Sequence, residues 1–450
     1  MKFDRVKGKC VDLSFEGKGV VKLSYGTIFV DGLFPGEEAE IEILYKRAGN
    51  YFGKVYRLIS KSLDRIQPRC GVCTACGGCQ LQQLSYPAQL AYKQHKVEDA
   101  LRRHDLKNIK VLPVIGMENP YQYRNKIQVP IGRDPHGHIV SGFYRQGTHK
   151  IIPIDQCMIE DERSSKIIFT VKQLMKEFKY APYDEDQQTG LIRHVLIRTS
   201  KHYDEIMVTL VTRLDEFKGK NNFVKELVKR CPSISTVIQN INHRDTNVIL
   251  GENERVLYGS GQIKDSILGV DFLISSKSFF QVNPVQVEKL YQTALDLTKI
   301  TSNPKVFDAY CGIGTISLIA AKHAQNVVGA EIVKEAIIDA KRNAKLNKIN
   351  NAEFYVGDAG EIYSKLRYEG RNFDCVFVDP PRKGLTPEFI ESLLKEEPPT
   401  ICYVSCDPET LARDLKLLSQ KYSISDIQPV DMFPMTFHIE SVVCLRLKER

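Results

Sequence analysis

The stretch that most constrains the fold is VFDAYCGIGTISLIAA, residues 306–321, where an apolar strand runs into glycines and then into a helix. Gly312 and Gly314 let the backbone turn tightly and approach a ligand. From about residue 280 onward, KVFDAY, QNVVGAEI, EFYVG, DCVFVD, ICYVS and SVVCLRL read as strands separated by helical stretches. Such alternation calls for a mainly parallel, doubly wound sheet, whose ligands sit at the carboxyl ends of the strands. A dinucleotide fingerprint would need a third glycine three positions after Gly314, and Ser317 stands there. The next strand ends at Glu331, 17 residues beyond Gly314, placed to accept hydrogen bonds from a ribose diol. An adenosyl ligand without a pyrophosphate fits this pattern, which points to S-adenosylmethionine.

Two further strand ends carry chemistry. In FVDPPRKGL, Asp379 precedes two prolines that stiffen the backbone beside the cofactor pocket. Enzymes that methylate amino groups follow a similar Asp/Asn-Pro-Pro with an aromatic ring that stacks the target base. Here Arg382 follows, which argues for another target atom. In YVSCDPETLARDL, Cys406 lies between a buried strand and a helix opened by Asp407 at the cap and Pro408 in the first turn. A free cysteine is more often a small buried hydrophobe than a nucleophile, yet a helix start favours a thiolate.

The remaining chain is organised differently. Residues 1–60 alternate apolar and polar in short runs punctuated by Gly and Pro, the pattern of a small β-barrel that binds oligonucleotides. CGVCTACGGC follows, with Cys70, Cys73, Cys76 and Cys79 at intervals of three. This run is tighter than zinc sites use and fits an iron–sulfur cluster better. Residues 84–106 read as a basic helical stretch. The region from about 110 to 275 is β-rich, with basic-aromatic patches YQYRNK, GFYRQGTHK and GLIRHVLIRTS. At 450 residues the chain has room for two or three domains. Twelve cysteines in such a chain suggest reduced thiols or metal ligands, and a net charge of +8 permits an anionic partner without demanding one. No apolar run approaches a membrane span and MKFDRVKGKC has no signal-peptide core, so a cytoplasmic protein is expected.

Taken together, FFQVN (279–283), DAYCGIG (308–314), VDPPRKG (378–384), SCDP (405–408) and DMFPMTFHIE (431–440) resemble the RNA uracil-5-methyltransferases. The N-terminal β unit and the cysteine run resemble the branch of that family acting on 23S ribosomal RNA. The resemblance implies a multidomain chain: a TRAM-type, OB-like β-barrel over 1–62, a central mixed α+β iron–sulfur and RNA-binding region over 63–278, and a C-terminal α/β Rossmann-like methyltransferase domain over 279–450. Its helical part, about 84–113, is expected to pack on the catalytic domain. The resemblance further implies Cys406 as the nucleophile that adds to carbon 6 of uracil, and Glu440 as the base that removes the carbon 5 proton. It implies Gln281, Tyr310, Glu331 and Asp379 around S-adenosylmethionine. Arg124 is the candidate to hold the flipped uridine, and the basic helix and barrel are expected to grip phosphates. The family pattern selects Cys70, Cys76, Cys79 and Cys157 as ligands of a [4Fe-4S] cluster, whereas the local spacing alone would use Cys73 and release Cys157. Met435 stands where the family often has His. RNA is the expected partner of a monomer that needs neither membrane nor DNA. Two alternatives stay open: a transfer-RNA uridine methyltransferase, and a non-catalytic RNA-binding assembly factor.

Overall fold

A computed structural model describes residues 5–145, 148–246, 248–299 and 303–449. Strands β1 (Arg5–Leu13), β2 (Gly19–Leu23), β3 (Gly26–Asp31), β4 (Glu38–Arg47) and β5 (Asn50–Ser60) close into a barrel in the order β1-β2-β3-β5-β4. The period-two pattern explains the closure. In β4, Ala39, Ile41 and Ile43 enter the barrel core with Val21, Ile28 and Val30, while Glu38, Glu40 and Glu42 face outward.

After the barrel come a single turn, α1 (Cys73–Cys76), and the long helix α2 (Tyr86–Arg103), which starts behind Ser85 with a proline in its first turn. The central region comprises β6 (Lys126–Arg133), β7 (Ile139–Tyr144), β8 (Ile151–Pro153), α3 (Glu162–Glu177), β9 (Ile192–Thr199), β10 (Ile206–Thr212), α4 (Lys220–Arg230), β11 (Ile234–Ile241) and β12 (Asn253–Tyr258). Its seven strands run β12-β11-β10-β9-β6-β7-β8, and α3 and α4 bury their apolar faces on one side. The three basic-aromatic patches map to β6, β7 and β9, which are neighbours in this sheet. Gln146 and Gly147 of the second patch lie outside the described residues.

The hairpin β13 (Ile263–Ile267)–β14 (Val270–Ile274) leads into the C-terminal part: α5 (Pro284–Thr298), β15 (Lys305–Ala309), α6 (Thr315–Ala321), β16 (Asn326–Glu331), α7 (Lys334–Leu346), β17 (Ala352–Val356), α8 (Ala359–Tyr368), β18 (Cys375–Val378), α9 (Pro387–Glu396), β19 (Thr400–Ser405), α10 (Pro408–Leu418), β20 (Tyr422–Ile424), β21 (Gln428–Val430) and β22 (Glu440–Leu447). All six strands read from the sequence are present. The sheet order is β17-β16-β15-β18-β19-β22-β20, with β21 also on β22. Strands β15 to β19 pair in parallel, and β22 enters antiparallel to β19. The order reverses between β15 and β18, the crevice where open α/β sheets take ligands. Hairpin residues Ile267, Val270 and Phe272 are buried with Val287 and Leu290 of α5 in one core. On the opposite face Val97, Ala100 and Leu101 of α2 join Leu411 and Leu415 of α10, which fixes α2 to this sheet. No helix among the described residues is long and apolar enough to cross a membrane.

Candidate active site

The glycine turn after β15 has two jobs divided between two residues. A Cβ at Gly314 would meet Ala340 and the Phe354 ring at 3.3 Å, so this glycine lets α6 close onto the sheet. A Cβ at Gly312 would meet nothing within 4 Å, so its backbone faces open space. Tyr310, a bulky residue at φ 65°, adopts left-handed backbone just before them, a strain of the kind that collects at functional sites. Its ring meets Phe389 edge-on at 6.3 Å.

Carboxylates surround this turn. Asp308 is buried and accepts a hydrogen bond from Ser317 Oγ at 2.5 Å, while its second oxygen has no partner among the described residues. Burial, with Asp379 and Glu331 adding repulsion, pushes Asp308 up to about 7. Glu331, at the end of β16, accepts from the Gly312 N–H at 3.2 Å and the Val333 N–H at 3.0 Å. Gln281 is buried within hydrogen-bonding reach of Tyr291. None of the three carboxylates is ion-paired to a lysine or arginine among the described residues. A ligand carrying a sulfonium and an ammonium complements that field, and the open side of Gly312 gives it room. The residues therefore fit S-adenosylmethionine.

Strand register brings together Cys406, Glu440 and Asp379. Ser405 of β19 pairs with Ser441 of β22, so Cys406 and Glu440 face each other across the next step of the antiparallel ladder. Val378 of β18 pairs with Tyr403, which puts Asp379 beside them at the same edge. Burial first, then Glu440 and Asp379, push the Cys406 thiol up to about 12, against the opposing pull of Arg382. This corrects the expectation from the helix start: the thiol is protonated at neutral pH, because desolvation and two carboxylates outweigh the helix terminus. Burial likewise pushes Asp379 up to about 7 and, with Asp379 adding, lifts Glu440 well above the usual carboxylate range. Bases that must take protons near neutral pH have such raised values.

The sequence reading missed several groups that the fold adds. The His438 ring lies tilted against Phe437, with 4.2 Å between ring centroids. Burial, then the charges of Arg382, Lys96, Lys93 and Arg124, push it down to about 4, so it is a neutral ring in a cationic wall. Lys93 of α2 is fully buried on Asp431 at 2.5 Å, and Tyr86 Oη donates to the same carboxylate at 2.9 Å. Lys96 Nζ donates to the Phe437 carbonyl at 2.8 Å. Two lysines three apart on a helix carry no signal by themselves. Only the docking of α2 gives them a target.

The cysteine run lies against the same loop: the Leu81 N–H donates to the Met435 carbonyl at 3.0 Å, and the Met435 N–H donates to Gln89 Oε1 at 3.0 Å. Met435 is buried with Tyr123, Ile159, Cys79 and Cys157, so the substituted position is a packing position. Cys76, Cys79 and Cys157 line one cavity, and Cys70 and Cys73 lie close enough to act electrostatically on Cys79. Among the described residues no group of three or more His, Cys, Asp or Glu side chains is arranged to hold a metal ion. Burial first, then neighbouring charges, push Cys79 up to about 12, the protonated form that metal ligation must displace.

Residues 85–448 match the tRNA (uracil-5-)-methyltransferase family. The chain is 44% identical over 449 residues to an uncharacterised RNA methyltransferase of Halalkalibacterium halodurans, covering 99% of this chain and 98% of that one. A relative from Staphylococcus aureus, also an uncharacterised RNA methyltransferase, is 40% identical over 448 residues, 99% of each chain. The crystal structure of Pyrococcus abyssi tRNA (uracil-54, C5)-methyltransferase in complex with S-adenosyl-L-homocysteine is similar, with TM-score 0.80 and 29% identity over 98% of this chain and all of that one. With the family's motifs gathered at one sheet edge beside a pocket that suits a cationic adenosyl ligand, the chain belongs to the tRNA (uracil-5-)-methyltransferase family and is an S-adenosylmethionine-dependent RNA methyltransferase.

Proposed function

We propose that the enzyme methylates carbon 5 of a uridine through a covalent adduct to Cys406, and the observation that carries this is the facing of Cys406 and Glu440 beside Asp379. Carbon 5 of uracil is too poor a nucleophile to take a methyl group directly. In the first step the Cys406 thiol gives its proton to Asp379 and its sulfur bonds to carbon 6, leaving an enolate over carbons 4 and 5. Bound S-adenosylmethionine would supply an electrophilic methyl group, which carbon 5 would take as the sulfonium carbon–sulfur bond breaks and S-adenosylhomocysteine leaves. Glu440 then takes the carbon 5 proton and later releases it to water, and the electron pair released expels from carbon 6 the Cys406 sulfur, which recovers its proton from Asp379. Glu440 must be ionised for this step, and Arg382 is the nearby cation that favours its charged form. Neutral His438 and the cations about it form the wall for a flipped nucleotide.

The substrate we favour is 23S ribosomal RNA in the cytoplasm, on the resemblance of the motifs. One observation supports transfer RNA as the second reading. The Pyrococcus abyssi enzyme named for tRNA aligns over nearly the whole of this chain, barrel and cysteine run included, so these parts do not discriminate between the two. We also propose that Cys70, Cys76, Cys79 and Cys157 hold a [4Fe-4S] cluster with a structural role. No step of the methyl transfer runs through it.

The test is a pair of variants. Cys406→Ala should abolish methylation while S-adenosylhomocysteine and RNA still bind. Glu440→Gln should accumulate a methylated protein–RNA adduct stable to denaturing electrophoresis, because the amide cannot take the proton. Full turnover by Cys406→Ala would sink the covalent mechanism. Mass mapping of 5-methyluridine in ribosomal and transfer RNA from a deletion strain then separates the two substrates.

A further inference from the structure

A cavity of about 910 Å³ lies in the central region between the cysteine run and the neighbouring strands β9, β6 and β7. None of Cys406, Glu440 and Asp379 lines it. Its floor is polar and buried, its rim exposed. His194 lies 7% exposed on the floor, and its Nδ1 has no hydrogen-bond partner among the described residues. Burial, then neighbouring Arg193, push His194 down to about 4, so the ring is neutral. Arg193 is also buried and its Nε is likewise unpartnered. Tyr144 stands over this floor, edge-on to His194 at 6.5 Å and to His149 at 6.0 Å.

Charge on the walls is unevenly spent. Glu185 is committed to Arg193 through two hydrogen bonds of 3.0 and 2.9 Å, and Asp245 lies 3.4 Å from Arg213. Lys126 has no carboxylate against it among the described residues. Burial, then Arg198 and Arg124, push it down to about 7. Arg198, its register partner on β9, is buried with an unpartnered Nε of its own. Lys126 and Arg124 both line the cavity, and Arg124 has the carboxylate of Glu160 near enough to act on. Arg124 lines the cavity and is also one of the cations felt by His438, so it stands between the two sites.

We propose that this cavity is a second nucleotide site, which takes an unpaired RNA nucleotide with its base on Tyr144 and His194 and its phosphate on Lys126 and Arg124. An aromatic face, an unpartnered neutral imidazole to meet a base edge and uncommitted cations are the parts that single-strand recognition uses. A phosphate would restore the charge that burial costs Lys126. Cys76, Cys79 and Cys157 line the far side of the cavity, so the nucleotide takes the part under Tyr144, and the position beside Arg124 suits one a short distance along the strand from the target uridine. The proposal rests on the reading of the protein as an RNA enzyme but not on its covalent chemistry.

The test uses the full chain and a uridine-free probe, a single-stranded oligonucleotide of A and C about eight nucleotides long. Wild type and Cys406→Ala should bind it equally in fluorescence anisotropy. Tyr144→Leu and Lys126→Ala should each weaken binding about ten-fold, with Tyr144→Phe restoring it and affinity for S-adenosylhomocysteine unchanged. On methylatable RNA the two variants should raise KM and leave kcat within about two-fold. Wild-type failure to bind the probe would overturn the proposal, as would probe binding by folded Tyr144→Leu and Lys126→Ala at wild-type strength. Absence of methylation in the wild type with this binding pattern intact would overturn the function proposed above and support the pocket.

Discussion

At the scale of single residues, the site stores protons. Burial raises both carboxyl groups, Asp379 to about 7 and Glu440 well above the usual carboxylate range, and with them it holds the Cys406 thiol protonated. The cost to stability has a definite sign. A carboxyl whose folded value is raised binds more protons folded than unfolded between the unfolded value, about 4, and its folded value. Stability contributed by Asp379 and Glu440 is therefore fullest at low pH and falls as pH rises, for Asp379 through about 7. Glu440→Gln removes one such group without changing its size. The unfolding midpoint of that variant should exceed the wild-type midpoint at pH 7 by a few degrees, and the difference should shrink toward pH 4. Thermal unfolding across that range measures it; a variant less stable than wild type at pH 7 would show that the ionised carboxylate is held favourably after all.

Among the elements, α2 and the cysteine run act on the loop that leads to Glu440. Lys93 and Tyr86 hold Asp431 from α2, and Lys96 holds the Phe437 carbonyl, three residues before Glu440. The cysteine segment reaches the same loop through Leu81 and Met435. A cluster bound by Cys157 would tie the segment to the central region as well, because Cys157 follows β8 in that sheet. Anaerobically purified protein should then carry about four irons per chain with broad absorption near about 400 nm. Cys157→Ala should lose both, and Cys73→Ala should keep them. The reverse pattern would make the four local cysteines the ligands and leave Cys157 as packing.

Across the whole molecule, the barrel is part of the active-site scaffold as well as a candidate RNA grip. Tyr92 Oη of α2 donates to the carbonyls of Ser14 and Phe15 at 2.8 and 3.2 Å. Lys96 lies 3.8 Å from the Phe15 ring centroid, and Gly17 backs onto Phe437. Simple removal of residues 1–60 would therefore mix two effects. Phe15→Ala should slow single-turnover methylation several-fold with little change in RNA affinity. Replacing the exposed Lys9 and Lys22 by Ala should weaken RNA binding and flatten its salt dependence with the chemical step unchanged. Filter binding at several salt concentrations and quenched single-turnover assays separate the two. Identical behaviour of both variants would mean that the Phe15 contact does not reach Glu440.

Some of this was legible in the residues themselves, because local physics writes it there. Strand–helix alternation, the glycine turn of 312–314, the capped helix after Cys406 and the period-two runs of the barrel depend on neighbours close in sequence. The family motifs likewise named Cys406 and Glu440. The rest depended on contacts between distant parts of the chain. Facing of Cys406 and Glu440 comes from the antiparallel entry of β22 beside β19. The protonated state of Cys406 contradicts the local helix-start argument, because desolvation is a property of everything packed around a group. Lys93, Lys96 and His438 acquire roles only when α2 and the barrel dock on the 431–440 loop. The nucleotide cavity likewise exists only where β6, β7 and β9 lie side by side against the cysteine run. Periodicity and spacing encode elements and motifs, whereas burial and charge pairing, which set protonation and binding, are decided by tertiary packing.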